Sequence, residues 1–98
     1  MVRKLTPAQA LSEYFRHRQR ELRILRDELY TVRDGWWIAK TAHAHDMLRH
    51  TAFLRNITTF ILAHKDLAQP TAEELATLEH DFRVYESIHA EAGRCLQE

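Results

Sequence analysis

Leu11, Phe15, Arg18, Leu22, Leu25, Leu29 and Val32 follow one another at alternating intervals of four and three residues. On a helix of about 3.6 residues per turn these positions fall on one stripe, and only Arg18 interrupts its apolar character. The same spacing continues through Trp36, Ala39, His43, Asp46, His50, Phe53, Ile57 and Phe60, and a third row runs Leu75, Leu78, Phe82, Tyr85, His89, Ala92 and Leu96. Nowhere do apolar and polar residues alternate with the period of two that a half-buried strand requires. The pattern predicts an all-α chain.

Local signals divide the rows into elements. Thr6-Pro7-Ala8-Gln9 is a helix start: Thr6 is the N-cap, Pro7 the first helical position, and Gln9 completes a capping box. Asp34-Gly35 is the natural break after the first helix, because glycine readily adopts the left-handed conformation that ends helices. The apolar spacing nevertheless runs in phase across Gly35, so one continuous rod that dimerises to bury its stripe is the alternative. Pro70 ends the second helix, and Thr71-Ala72-Glu73-Glu74 opens the third with a second capping box. The expected helices cover about 7–33, 36–65 and 72–96 and form an antiparallel, up-down-up chain. The second helix carries apolar residues over more than one narrow stripe, as a helix packed on two sides would. The surplus predicts that the three helices complete a larger bundle as a homodimer.

Ninety-eight residues with 45% hydrophobic content fit a single helical domain over 1–98. Fourteen basic and 14 acidic side chains cancel, which removes any global attraction to nucleic acid or membrane. The distribution is uneven: residues 1–35 and 36–65 each carry a net charge of +3, and residues 66–98 carry −6. Such asymmetry serves attraction between helices of one bundle or of two protomers. A lone cysteine, Cys95, forms no intrachain disulfide. The first twenty residues contain no apolar run of signal-peptide length, and Ile57 to Ala63 is too short to span a bilayer. These features predict a soluble, cytoplasmic protein without a membrane segment.

The chain is histidine-rich, with seven in all, and His43, His50 and His89 lie on the predicted inward rows. Asp46 with His50, and Glu86 with His89, have the i,i+4 and i,i+3 spacings that set side chains next to each other on one helix face. A fold-back around Ala68 would bring residue 50 level with 86 and 47 with 89. The four side chains would then offer two imidazoles and two carboxylates to zinc or iron. Glu86-Ser87-Ile88-His89 also matches the Glu-x-x-His element of di-iron bundles, but occurs once where a dinuclear site needs two. The plainer expectation is a polar core in which His89 pairs with Glu86 and Asp46 bridges to Arg49 or Arg18.

Arg16, Arg20 and Arg23 share a face of the first helix and could contact a nucleic-acid backbone. Glu13, Glu21, Asp27 and Glu28 interleave with them, so a solvated face laced with pairs such as Arg23 with Asp27 is the simpler expectation. Two glycines cannot build a phosphate loop, Cys95 has no evident base, and Ser12 and Ser87 lie within helices, so no catalytic residues are assigned and no cofactor is implied. The sequence therefore reads as a small non-catalytic regulatory or adaptor protein acting through protein–protein interaction, with Trp36, Trp37, Phe53 and Phe60 as interface candidates. The alternatives are a zinc- or iron-binding bundle using Asp46, His50, Glu86 and His89, and an accessory protein that contacts nucleic acid through Arg16, Arg20 and Arg23.

Overall fold

A computed structural model describes residues 4–34 and 37–97, apart from the side chains of Asp34, Trp37, Ile38 and Ala39. The described residues form four helices: α1 (Pro7–Asp34), α2 (Trp37–Ala63), α3 (Lys65–Ala68) and α4 (Ala72–Gln97). The described residues contain no strand, and none of their helices is long and apolar enough to cross a membrane. The fold is thus the expected all-α one, with a single extra turn, α3, inside the second connection. Glu21 on α1 meets His50 on α2, two residues that a continuous rod would hold about 43 Å apart at a rise of about 1.5 Å per residue. The chain therefore reverses between α1 and α2, and the continuous-rod alternative is excluded. Tyr14 and Arg18 meet Tyr85 and Asp81, while Arg33 meets Glu91 further along both helices, so α1 and α4 run parallel. α2 lies between them, antiparallel to both.

Both capping boxes form. The Thr6 amide donates to Gln9 Oε1 at 3.0 Å and the Gln9 amide to Thr6 Oγ1 at 3.2 Å. At α4 the Thr71 amide donates to Glu74 Oε1 at 2.9 Å and the Glu74 amide to Thr71 Oγ1 at 3.0 Å. Each box satisfies two donors that a helix start otherwise leaves open. Between them, α3 folds against α1 and ends at Gln69, which takes the left-handed conformation (φ 54°, ψ 54°). Its amide donates to the Lys65 carbonyl at 2.8 Å, and Pro70 follows directly, where no further helical hydrogen bond could be made.

The buried line differs in phase from the expected row on α2, and on α4 it keeps the expected phase with one exchange. On α2 the fully buried positions are Ala44, Met47, Thr51, Leu54, Thr58 and Ile61, not the row through His43, Asp46, His50, Phe53, Ile57 and Phe60. Asp46, Phe53 and Phe60 are exposed, and His43, His50 and Ile57 are half-buried. The expected row carried the phase of α1 across Gly35, and the reversal of direction between α1 and α2 breaks that phase. α2 instead buries the line midway between its contacts with α1 and α4. Small residues at Ala44, Thr51 and Thr58 alternate on this line with larger ones, and the threonine hydroxyls are satisfied by carbonyls of their own helix. On α4 the buried line is Leu78, Asp81, Tyr85 and Ala92, so Asp81 replaces Phe82.

The α2–α4 register also differs from equal counting about Ala68. Thr51, one turn beyond Met47, faces His89, because α3 and Gln69 to Thr71 move the centre of the fold-back toward α4.

Thr71→Ala removes the side-chain half of the α4 capping box and should cost about 1 kcal/mol of unfolding free energy. Urea titration checks this, and an unchanged midpoint would show that the box adds nothing to the stability of α4.

Candidate functional site

The centre of the bundle holds a charge. Asp81, only 1% exposed, sits on the buried line of α4 and receives three donors from α1. Arg18 Nε donates to Asp81 Oδ2 at 2.6 Å and a terminal guanidinium nitrogen to Oδ1 at 2.8 Å, a bidentate pair. The Tyr14 hydroxyl donates to Oδ2 at 2.6 Å. Because that proton is committed, the Tyr85 hydroxyl, 2.6 Å from Tyr14, must be the donor of the fourth bond. The result is a relay in one direction, from Tyr85 through Tyr14 to Asp81, closed by Arg18. The hydrogen bond to Asp81 is the largest influence holding the Arg18 guanidinium charged. Burial, reinforced by the Asp81 hydrogen bond, pushes the Tyr14 phenol far above its ordinary range, and burial pushes Tyr85 up to about 12.

A polar seam extends from this centre between the helices. His50 Nε2 lies 2.5 Å from Glu21 Oε2, linking α2 to α1. The Thr51 hydroxyl donates to the Met47 carbonyl at 2.7 Å, so at its 2.9 Å contact with His89 its oxygen accepts a hydrogen bond from Nδ1–H. One heptad beyond Glu21, the half-buried Glu28 has one carboxylate oxygen enclosed without a hydrogen-bond partner. At the far end Arg33 clips onto Glu91 at 2.8 Å, and this hydrogen bond holds the Glu91 carboxyl below its usual range.

Beside the relay, α1 and α2 leave a cleft of about 370 Å³. Ala10, Tyr14, Leu54 and Ile57 line it together with Leu5 and Phe53. Its polar lining is Glu13, His17, Arg18, Arg20 and Glu21. These charges are largely paired among themselves: Glu13 with Arg16 at 3.7 Å and His17 at 3.2 Å, and Glu21 with Arg20 at 3.6 Å as well as His50. Phe53 is 60% exposed at this cleft, and Phe60, two turns further along α2, stacks edge-on against His64 with centroids 5.0 Å apart.

The candidate metal ligands do not converge. Asp46 is exposed and pairs with Arg49, leaving Arg18 to Asp81. His50 turns to Glu21, His89 turns to Thr51 and not to Glu86, and Glu86 is exposed. Among the described residues no three His, Cys, Asp or Glu side chains come together to hold a metal ion. Of the candidate backbone-binding arginines, Arg20 borders the cleft, whereas Arg16 and Arg23 point outward. Trp36 and the Trp37 side chain lie outside the described residues. Tyr14, Glu21 and Asp81 were not singled out from sequence for this arrangement. The available signal was Arg18, a cation on an inward row that requires a buried anion.

The chain matches no family model, no characterised protein and no solved structure.

Tyr14→Phe leaves the Tyr85 hydroxyl without its acceptor and Asp81 without one donor, and should cost about 1–3 kcal/mol. Both phenols are harder to ionise in the folded protein than in the unfolded chain. Their contribution is therefore complete below the ordinary tyrosine value of 10.0 and is lost as pH rises through the folded values, about 12 for Tyr85 and higher for Tyr14. Thermal melts should show stability falling as pH rises from about 10 to about 12, with a smaller fall in Tyr14→Phe. Equal falls in the two proteins would show that the relay does not hold the protons.

Proposed function

We propose that the protein is a non-catalytic regulatory or adaptor module that receives the apolar face of a protein partner's helix in the α1–α2 cleft. The observation that carries this reading is Phe53, 60% exposed beside a cleft that also bares Leu5. A phenylalanine in that position gains about 1.5–3 kcal/mol when a partner removes it from water. Tyr14 and Arg18, which line the cleft, are fixed by Asp81, so the surface meets its partner preformed and loses little freedom on docking. Phe60, spaced at a heptad from Phe53, extends the apolar contact along α2. Trp36 and Trp37 complete the set of aromatic anchors proposed for the interface. With Cys95 as a free thiol, the module works in a reducing compartment, the cytoplasm.

The partner is a protein, and native mass decides whether it is a second copy of this chain. Phe53→Asp should keep wild-type helicity and melting temperature, because the side chain is largely in solvent. The same substitution should weaken self-association or partner binding by about thirtyfold, the equivalent of about 2 kcal/mol. Light scattering and titration calorimetry read the two cases. Complexes of unchanged mass and affinity in Phe53→Asp would contradict the reading.

A further inference from the structure

Folding sorts the charges of α1 by sign. Glu21 turns into the seam with α2, where it meets His50, and Glu28 is half-buried with one oxygen enclosed. Glu13 is matched by His17 at 3.2 Å, its longer 3.7 Å contact with the exposed Arg16 leaves that guanidinium open to solvent, and Arg18 is spent on Asp81. The outward face keeps Arg16, Gln19, Arg23, Arg26 and Tyr30, all exposed, at the four-and-three spacing of one stripe about 21 Å long. Among the described side chains Asp27 is the one carboxylate bordering this face, and neither Arg23 nor Arg26 is ion-paired with it. Tyr30 is 70% exposed, the most exposed of the large apolar side chains described. An open depression bordered by Gln19, Leu22, Arg23 and Arg26 lies along the stripe. The interleaving of charges that the sequence suggests is therefore undone by the fold.

We infer that this face of α1 docks the backbone of a single-stranded nucleic acid, with phosphates on Arg16, Arg23 and Arg26 and an unpaired base stacked on Tyr30. Guanidiniums at Arg23 and Arg26 stand one turn apart around the depression and can hold a phosphate between them. An exposed phenol further along the same stripe supplies the flat surface on which bases of any identity stack. A lipid surface fits less well, because α1 has committed its apolar side to the core and offers no apolar stripe to insert. An acidic protein would meet the same arginines, and polyglutamate is the rival ligand that separates the two cases. The face lies apart from the α1–α2 cleft, so its occupancy does not depend on the partner proposed there.

Fluorescence anisotropy with labelled oligothymidylate and oligouridylate of about fifteen nucleotides tests the inference at low salt. Polyglutamate, a duplex of the same length and anionic phosphatidylglycerol vesicles serve as rival ligands. Three neutralised phosphates on a single strand give a slope near −2 in a plot of log affinity against log salt, so tenfold more salt should weaken binding about a hundredfold. Arg23→Glu combined with Arg26→Glu should weaken it by at least about tenfold, and Tyr30→Ala by about fivefold, with the melting temperature unchanged in both. Comparable binding of the two oligonucleotides supports backbone recognition of either sugar, and a preference for one assigns the face to that nucleic acid. Absence of oligonucleotide binding at low salt would overturn the inference. So would binding that the double charge reversal leaves intact, or tighter binding of the duplex, the vesicles or polyglutamate.

Discussion

The Asp81 carboxylate constrains everything around it. A carboxylate moved from water to the centre of a small bundle carries a desolvation penalty of several kcal/mol unless its oxygens are fully engaged. Here the donors are Arg18 and Tyr14, both from α1, with Tyr85 of α4 supporting Tyr14 from behind. Neither helix can slide or rotate against the other without breaking a charged, directional set of bonds. Apolar packing alone would tolerate neighbouring registers, since leucine and isoleucine in successive layers look much alike to the opposing helix. The buried pair adds a requirement that a single register meets. α2 fills the space between these two helices and packs against each of them far more extensively than they pack against each other, and small side chains at Ala44, Thr51 and Thr58 fit it to that space.

This interior also decides what the exterior displays. Drawing Arg18 and Tyr14 inward aims the neighbouring positions of α1 in predictable directions. Glu21 faces His50 across the seam, Glu13 and His17 border the cleft, and Arg16, Arg23 and Arg26 point to solvent. A chain with no net charge thereby acquires a basic outer face on one helix and an apolar cleft beside it. Both surfaces are by-products of one choice of register, which is why a change at Asp81 would be felt on each.

The sequence made the local structure legible and the polar partners illegible, for a physical reason. Thr6 with Gln9 and Thr71 with Glu74 are short-range devices whose geometry follows from three-residue spacing, and both form as read. Helix extents follow from the same kind of local signal. The phase of α2 does not, because it depends on how two other helices approach it; the row containing Asp46, Phe53 and Phe60 proved to run along the half-buried to exposed border of the helix. Arg18 was visible as an anomaly in an apolar row, yet its partner lies 63 positions away in sequence, in a region where Asp81 sits next to the more hydrophobic Phe82. The chelating pairs of Asp46 with His50 and Glu86 with His89 obeyed helical spacing but faced the wrong neighbours once the register moved by a turn.

The most direct test of this account is a double-mutant cycle on unfolding free energy, using Arg18→Met, Asp81→Leu and the two combined. If the pair fixes α1 against α4, each single substitution strands a buried or half-buried charge and costs about 3–5 kcal/mol. The combined protein should then recover at least about 2 kcal/mol of the added losses, because neither charge is left without its partner. Losses that simply add, to within about 0.5 kcal/mol, would mean that Arg18 and Asp81 act independently and that the register of the bundle is set elsewhere.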